Sequence, residues 1–550
     1  MMTKSEIIAY LKSVEKDYDL KIAMIGAPFH SPGYHTRVPD GTYAHQTRGS
    51  LNYAAALLAS GEKKYVARAA KVIASVIAQQ DKDPTSKTYG IWSWLYEEPL
   101  ENMSPPDWNW ADFCGAALVT ILHDYAAKLP KKLKADMRAS IAHAAYSIFR
   151  RNIGPGYTNI ALMGAAVTLA AGEMFGLSEI FEYGKKRLTD MLTHTEYHGS
   201  FNEYNSPTYT VVAIEEINRT LHLVEDPAVR RIAGKLAVHA WTMVAEHYHP
   251  ATGQWSGPHS RAYSDLLKPG TQAYLAEATG ITPRERENNP QPPMVPVLPC
   301  PAKIKARFFR LPSAAFSINR RFIRQEDDAK STYGTTWFSE DATIGSVNQD
   351  MFWAQRRVLI GYWKAKDAAV AVLRLRFLHD GKDFCTARVV NTQNDNRILS
   401  VTGVFRSNGD FHPNLDKPAD GIYRAEDLRL RYELTAPDAQ ARDLGGGVFA
   451  LSAGGRTAYI HTTPGTFHGE TVRWEITKGD GSCCIDAVAY QGPRKEFQFT
   501  PEHAYYIVSG LTLAQSNEPP VKDVLAIQCA KDVCRTTWGS LTCSSPSGPV

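Results

Sequence analysis

Apolar residues return every three or four positions through the first half of the chain, and close to every second position through much of the remainder. The stretches 50–60, 64–77, 111–122, 133–149, 159–174, 210–224 and 228–248 carry the first period, which predicts a helix in each. These helices pair at intervals of roughly 40 to 50 residues, and the loops between them are rich in Trp, Tyr, His, Asn and Gly. Hairpins repeating in this way predict an (α/α) toroid whose loops collect at one end as a cleft. Beyond residue 302 the pattern shifts to strands, at 314–320, 368–378, 387–393, 399–405, 448–452, 457–463, 473–477 and 504–509. Asn-Gly, Gly-Gly and Asp-Gly turn signals separate them, which predicts an antiparallel β-sandwich.

The change of period coincides with residues 288–302, which hold six prolines and read as a stiff linker. The expected fold class is therefore multidomain: an N-terminal toroid over 1–287, the linker 288–302, a β-sandwich over 303–517, and a polar, loosely held tail over 518–550. A chain of 550 residues is long enough for two or three such cores.

Composition narrows the partners. Hydrophobic residues make up 44% and charged residues 21%, the balance of a soluble globular protein. The net charge of +4 is spread out rather than gathered in runs, so no nucleic-acid footprint is expected. No stretch of 18 or more consecutive apolar residues occurs, and no membrane partner is expected. The first residues form a mixed-charge amphipathic helix without the apolar core of a signal peptide, which points to the cytoplasm. The eight cysteines show no Cys-x-x-Cys spacing and no nearby His, so reduced, mostly buried thiols are expected rather than a zinc site. Neither a metal nor a cofactor is expected, and the oligomeric state is left open.

Candidate chemistry lies in the loops. Trp108 and Trp110 sit in a loop flanked by Pro105 and Pro106, where flat rings suit the CH face of a sugar; the other reading is that they are core. The stretch His198-Gly-Ser-Phe-Asn-Glu-Tyr-Asn-Ser-Pro-Thr-Tyr209 concentrates His198, Glu203, Asn205 and Tyr209 ahead of a helix. Asn159 opens another helix, as a site residue or as an N-cap. Between 246 and 263, Trp255, His259, Arg261 and Tyr263 make a polar aromatic loop. The last three alternate, so in an extended chain they share one face, and Arg261 there suits a carboxylate. The bland alternative for this loop is a solvated surface segment. In the sandwich, Asn348 and Trp353 are the binding candidates of the stretch 337–357.

The two motifs Gly156-Tyr-Thr-Asn159 and Gly199 to Tyr209, together with the domain order, resemble the heparinase II/III and alginate lyase families of polysaccharide lyases. Two departures stand out: His198 occupies the usual place of an Asp before Gly, and Glu203 lies one residue further from Ser206 than the family pattern. The resemblance implies β-elimination on a uronate-containing oligosaccharide or polysaccharide, an acidic substrate. Such chemistry needs a neutralised carboxylate, a base on C5 and an acid on the leaving oxygen. It implies Tyr209 as base or acid, with Asn159 and either Glu203 or Arg261 neutralising the carboxylate; apart from the resemblance, His259 in its polar loop is the other candidate, as base or charge partner. The expected cytoplasmic location favours short oligosaccharides cut from one end. A glycoside hydrolase using a pair among Asp107, Asp112 and Glu203, or a non-catalytic carbohydrate-binding protein, remain the alternatives.

Overall fold

The computed structural model describes residues 2–530 and 533–550. Helix α1 (Lys4–Ser13) opens on a reciprocal capping box, in which Thr3 and Glu6 each bond the other's backbone N–H. There follow α2 (Thr47–Ala59), α3 (Lys63–Ala78), α4 (Trp110–Tyr125), α5 (Lys131–Arg151), α6 (Thr158–Phe175), α7 (Ser178–His198), α8 (Tyr209–Leu223), α9 (Pro227–His247) and α10 (Pro269–Thr279). Each periodic stretch thus becomes a helix, and the hairpins build an (α/α) toroid. Helices α2, α4, α6 and α8 pack on one another in that order. They all run in the same direction. The first residue of α4, Trp110, donates its indole N–H to the first residue of α2, Thr47, at 2.8 Å. Asn109 and Tyr157, just ahead of α4 and α6, lie 3.5 Å apart. At the other end, His222 of α8 meets Asp124 of α4 at 2.8 Å. The four N-termini therefore gather at one end, with the dipoles aligned.

Helix α6 owes its central place to its composition. It is long and apolar enough to cross a membrane by those criteria alone, yet 83% of it is buried inside the protein. Its small residues allow close approach. A Cβ on Gly172 would meet Phe181 Cβ of α7 at 2.6 Å, and on the facing helix a Cβ on Gly184 of α7 would meet Thr168 Oγ1 at 2.7 Å.

Among the described residues, every strand pair in the two layers of the sheet unit is antiparallel. In one, Tyr423–Thr435 lies between Val370–His379 and Ser482–Phe497. In the other, Arg397–Val404 lies between Ala387–Asn394 and Tyr505–Gln515. Alternation sends Leu428, Leu430, Tyr432 and Leu434 into a core shared with Phe377, Ile398, Ile485, Ile507 and Leu511, while Arg429 and Arg431 face away from it. This is the antiparallel β-sandwich the period of two predicts.

Two features go beyond the sequence pattern. The C-terminal stretch is not loose: Leu525–Ala530, Val533–Trp538 and Leu541–Pro546 form a meander. Its alternate residues Cys534, Trp538, Leu541 and Cys543 bury against Leu399, Val401 and Val508. The polar composition hid a two-residue period, because the inward positions Cys534, Thr536, Trp538, Leu541, Cys543 and Ser545 mix polar with apolar types and the outward ones are mostly polar. Second, the compact units interleave. The sheet unit takes His198–Thr208 and Thr242–Lys268 in addition to Ala302–Val550, and the helical unit keeps the residues up to Tyr197, Tyr209–Trp241 and Pro269–Pro301.

Candidate functional site

Within the sheet unit the segments 198–208 and 242–268 are knitted together by one asparagine. Asn205 adopts a left-handed backbone conformation (φ 42°) and is fully buried. Its amide nitrogen donates to the carbonyls of Ser256 (2.9 Å) and Pro258 (2.7 Å), and its amide oxygen accepts from the Trp255 indole at 2.6 Å. Its backbone carbonyl faces His259 Nδ1 at 2.7 Å. Alongside, Ser260 Oγ donates to the carbonyl of Tyr204 and Ser206 Oγ to that of Arg261. Asn205 and Trp255 were expected to hold a sugar; the structure instead spends both on the interior. Trp255 is 1% exposed, so its ring has no face to offer.

This knot aims the following residues. His259 pairs backbone to backbone with Arg357, at 3.1 and 3.0 Å. The ring is buried, and among the described residues its Nε2 has no hydrogen-bond partner. Burial pushes the imidazole down to about 4, against the pull of the Asn205 carbonyl, with the Arg357 cation adding to the fall. At neutral pH it is therefore an uncharged ring with Nδ1–H given to Asn205 and a lone pair on Nε2. His247 and His249 are likewise buried and driven down, to about 3 and about 4, each chiefly by desolvation. His247 faces the carbonyl of Met243 at 2.9 Å, and His249 bridges Thr252 Oγ1 and the Ser339 carbonyl, both at 2.8 Å.

Two residues on, Arg261 is the centre of a polar cluster. It donates to Glu203 Oε1 (2.9 Å), to Gln355 Oε1 (2.8 Å) and to the Tyr263 phenol (3.2 Å). Its guanidinium carbon stands 5.4 Å from the centroid of Trp353. His412 packs edge-on against the same tryptophan at 5.4 Å. Burial and the Arg261 cation hold the His412 imidazole below its ordinary value, with Asp416 opposing. Behind them, Tyr204 stacks on Phe322 at 4.3 Å and donates to Asp350 at 2.9 Å, and Arg356 closes on Asp350 at 3.4 Å. Burial and the Asp350 charge raise the Tyr204 phenol far above its usual range, so it remains a donor. Glu203, Arg261, Tyr263 and Trp353, read separately from sequence, thus converge. Tyr263 is the exposed member, at 51%.

Other candidates are placed elsewhere. Asn348 spends its side chain on the Tyr333 N–H and the Ser331 carbonyl, both at 2.9 Å, holding the strand edge rather than a ligand. His198 accepts from the Arg324 N–H at 3.1 Å.

In the helical unit, Tyr209 is the first residue of α8 and is half-buried. Asn159 is the second residue of α6; the N-cap position belongs to Tyr157. The Asn159 side chain accepts from the Ile160 N–H at 2.9 Å and is buried. Trp110 is half-buried between Trp94 and Phe113, both at 5.2 Å. Trp108 donates to the Lys87 carbonyl at 3.0 Å and lines a cleft of about 710 Å³ with Tyr96 and Glu98. One turn into α4, Asp112 is buried, and desolvation pushes its carboxyl up to about 7 against the pull of Arg187 and Arg151. Glu215 on α8 is raised to about 7 as well, by desolvation and then by its neighbour Glu216.

Sequence reasoning missed His412, Gln355, Asp350 and Glu215. His412 sits in a loop without a period, held by Asp416, whose carboxylate accepts the N–H groups of Asp410 (2.8 Å), Phe411 (2.7 Å) and His412 (2.8 Å). Only an Asp four residues after His412 signals it, and that is common in turns.

A family model for a domain of unknown function (DUF8769) matches residues 22–293. No curated protein matches the sequence. Among solved structures, a crystal structure of heparinase III aligns over 100% of this chain and 91% of its own, with a TM-score of 0.49 and 11% identity. A second heparinase III, solved with methylated lysines, aligns over the same shares with a TM-score of 0.37 and 10% identity.

Proposed function

We propose that the protein is a lyase that cleaves a uronate-containing glycan by β-elimination. The observation that carries this reading is the Arg261 cluster. A guanidinium held by Glu203 and Gln355 stands between an exposed phenol and a tryptophan face, which suits a sugar ring bearing a carboxylate. Elimination requires that carboxylate to be neutralised before the C5 proton can leave, and an arginine supplies the charge. Glu203 is the counter-ion of Arg261 and so positions the cation.

Under this proposal Arg261 neutralises the carboxylate; the motif resemblance separately nominates Tyr209 for the proton, as base toward C5 and acid toward the leaving oxygen, and Asn159 for the carboxylate. His259, with its basicity lowered by burial, orders the loop that carries Arg261. The motif around Asn159 and the one ending at Tyr209 support the assignment. The burial of Asp112 speaks against a hydrolase that would use it as one of two cleft carboxylates. The test is ultraviolet absorbance of the unsaturated product over a panel of uronate oligosaccharides, with wild type, Tyr209→Phe and Asn159→Ala side by side. Product formed by wild type and lost in both variants is expected. Cleavage without the absorbing product, or none on any uronate glycan, defeats the proposal.

A further inference from the structure

The C-terminal meander places two thiols face to face. Cys529 and Cys534 are directly opposite in the antiparallel pairing of Leu525–Ala530 with Val533–Trp538. Their sulfurs lie 2.8 Å apart. Directly opposed residues in such a ladder have Cα atoms about 4.5–5.5 Å apart, inside the span of about 4.4–6.8 Å that a disulfide bridges. A covalent bond at about 2.05 Å needs a further approach of only about 0.8 Å, within reach of small χ1 rotations. Among the described residues no other pair of the eight cysteines stands opposed: Cys543 faces Thr536, Cys483 faces Leu434 and Lys478, and Cys484 faces Glu433 and Thr477.

We propose that Cys529 and Cys534 are a redox modification site that closes to a disulfide by exchange with a low-molecular-weight disulfide such as oxidised glutathione. The two thiols differ in a way that sets the order of events. Cys529 is exposed and Cys534 is buried. Burial also raises the Cys534 thiol, so it stays protonated while the outer thiol reacts. The Cys529 thiolate attacks one sulfur of the glutathione disulfide, forming a mixed disulfide and expelling one glutathione thiolate, which takes up a proton. The Cys534 sulfur, losing its proton as it reacts, then attacks the Cys529 sulfur and expels the second glutathione. Two protein thiols and one glutathione disulfide become one protein disulfide and two glutathione thiols, and the electrons balance.

The bond would fasten a hairpin that is otherwise held on one side only. Cys534 and Trp538 pack on Leu399, Val401 and Val508, and Arg397 lies 4.3 Å over the Trp538 ring while pairing with Asp523 at 2.6 Å. The strand Leu525–Ala530 is the outer one, with Leu525 and Ile527 partly buried against that cluster and Cys529 beside Tyr506, so the cross-link ties the outer strand to the anchored one. This inference is independent of the lyase reading.

The full-length chain is incubated with oxidised glutathione under native conditions, then digested without reductant and mapped by mass spectrometry. The expected result is a peptide pair joined through Cys529 and Cys534, a mass about 2 Da below the reduced protein, and six rather than eight titratable thiols. Cys529→Ser, at an exposed position, keeps all seven remaining thiols free. Cys534→Ser retains glutathione as a stable adduct on Cys529, because the resolving thiol is gone. If wild type itself stops at a glutathione adduct on Cys529, links Cys529 to a different cysteine, or keeps all eight thiols, the proposal is overturned.

Discussion

Arg261 and Glu203 form an ion pair at 2.9 Å, and both are largely withdrawn from water, with side chains 19% and 9% exposed. The pair splits the roles of cation and counter-ion between two segments, 198–208 and 242–268, that lie more than a helix hairpin apart in sequence. If Arg261 neutralises a substrate carboxylate, Arg261→Met should lower turnover of a uronate substrate by about 100-fold or more. Glu203→Gln, which keeps an oxygen acceptor for the guanidinium, should cost about 10-fold. Steady-state kinetics on both variants checks this. An Arg261→Met enzyme with unchanged kcat/KM would remove Arg261 from the reaction.

The buried histidines give the sheet unit a predictable response to acid. For His259 the folded value of about 4 lies below the ordinary 6.5, so the folded state binds fewer protons between those limits than the unfolded chain. Its contribution is complete above pH 6.5 and is lost as pH falls toward 4. Between pH 7 and pH 5 the loss is about 2 kcal/mol for this one residue. His249 and His247 act in the same direction. Urea denaturation at pH 7 and pH 5 should show the drop, and His259→Gln should flatten part of it.

Asn205 satisfies one indole and two carbonyls, so truncating it leaves three buried groups without partners. Asn205→Ala is expected to destabilise the protein by about 3 kcal/mol or more. Trp255→Phe keeps most of the apolar volume and should cost about 1–3 kcal/mol, because only the amide oxygen is orphaned. Thermal melts of the two variants check the order. Equal melting temperatures would mean that the hydrogen bonds around Asn205 contribute little.

Gly164 on α6 leaves room for two charged groups. A Cβ there would stand 2.5 Å from Asp112 Oδ1 and 2.7 Å from Arg187 Nη1. Gly164→Ala should therefore destabilise the helical unit by about 1–3 kcal/mol, despite the better helix propensity of alanine. The Asp112 carboxyl, raised to about 7, also gives a pH slope opposite to that of His259. Its folded value lies above 3.8, so its contribution is present at low pH and is lost as pH rises through 7. Denaturation of Gly164→Ala and wild type at pH 6 and pH 8 measures both effects.

The helices were legible where the apolar period is clean, as in α3, whose buried residues Tyr65, Ala69, Val72, Ile73, Val76 and Ile77 keep helical spacing, whereas the central strand Tyr423–Thr435 was not read from the sequence. The meander around Trp538 was not, since its inward positions include Cys and Thr, which a hydropathy count reads as neutral. In the loops, sequence singled out Arg261, Glu203, Tyr263 and Trp353 by residue type, and the structure brings these together. It also singled out Asn205 and Trp255 by the same criterion. What separates the two groups is hydrogen-bond satisfaction at a left-handed backbone position, and no one-dimensional pattern encodes that. His412 escaped because its neighbours Trp353 and Arg261 are 59 and 151 positions away in sequence.

The interleaving of the two units bears on how the chain is made. Residues 198–208 and 242–268 leave the ribosome before the sheet that completes them. Tyr204 then lacks Phe322 and Asp350, Arg261 lacks Gln355, His249 lacks the Ser339 carbonyl and His259 lacks its backbone partner Arg357. At about 5–20 residues per second the delay from residue 268 to residue 357 is several seconds, long compared with helix formation. A nascent chain stopped at Pro301 therefore carries these aromatic and charged segments uncovered. They stay open to a holdase chaperone until their partners emerge, which happens once synthesis has passed residue 357 of 550.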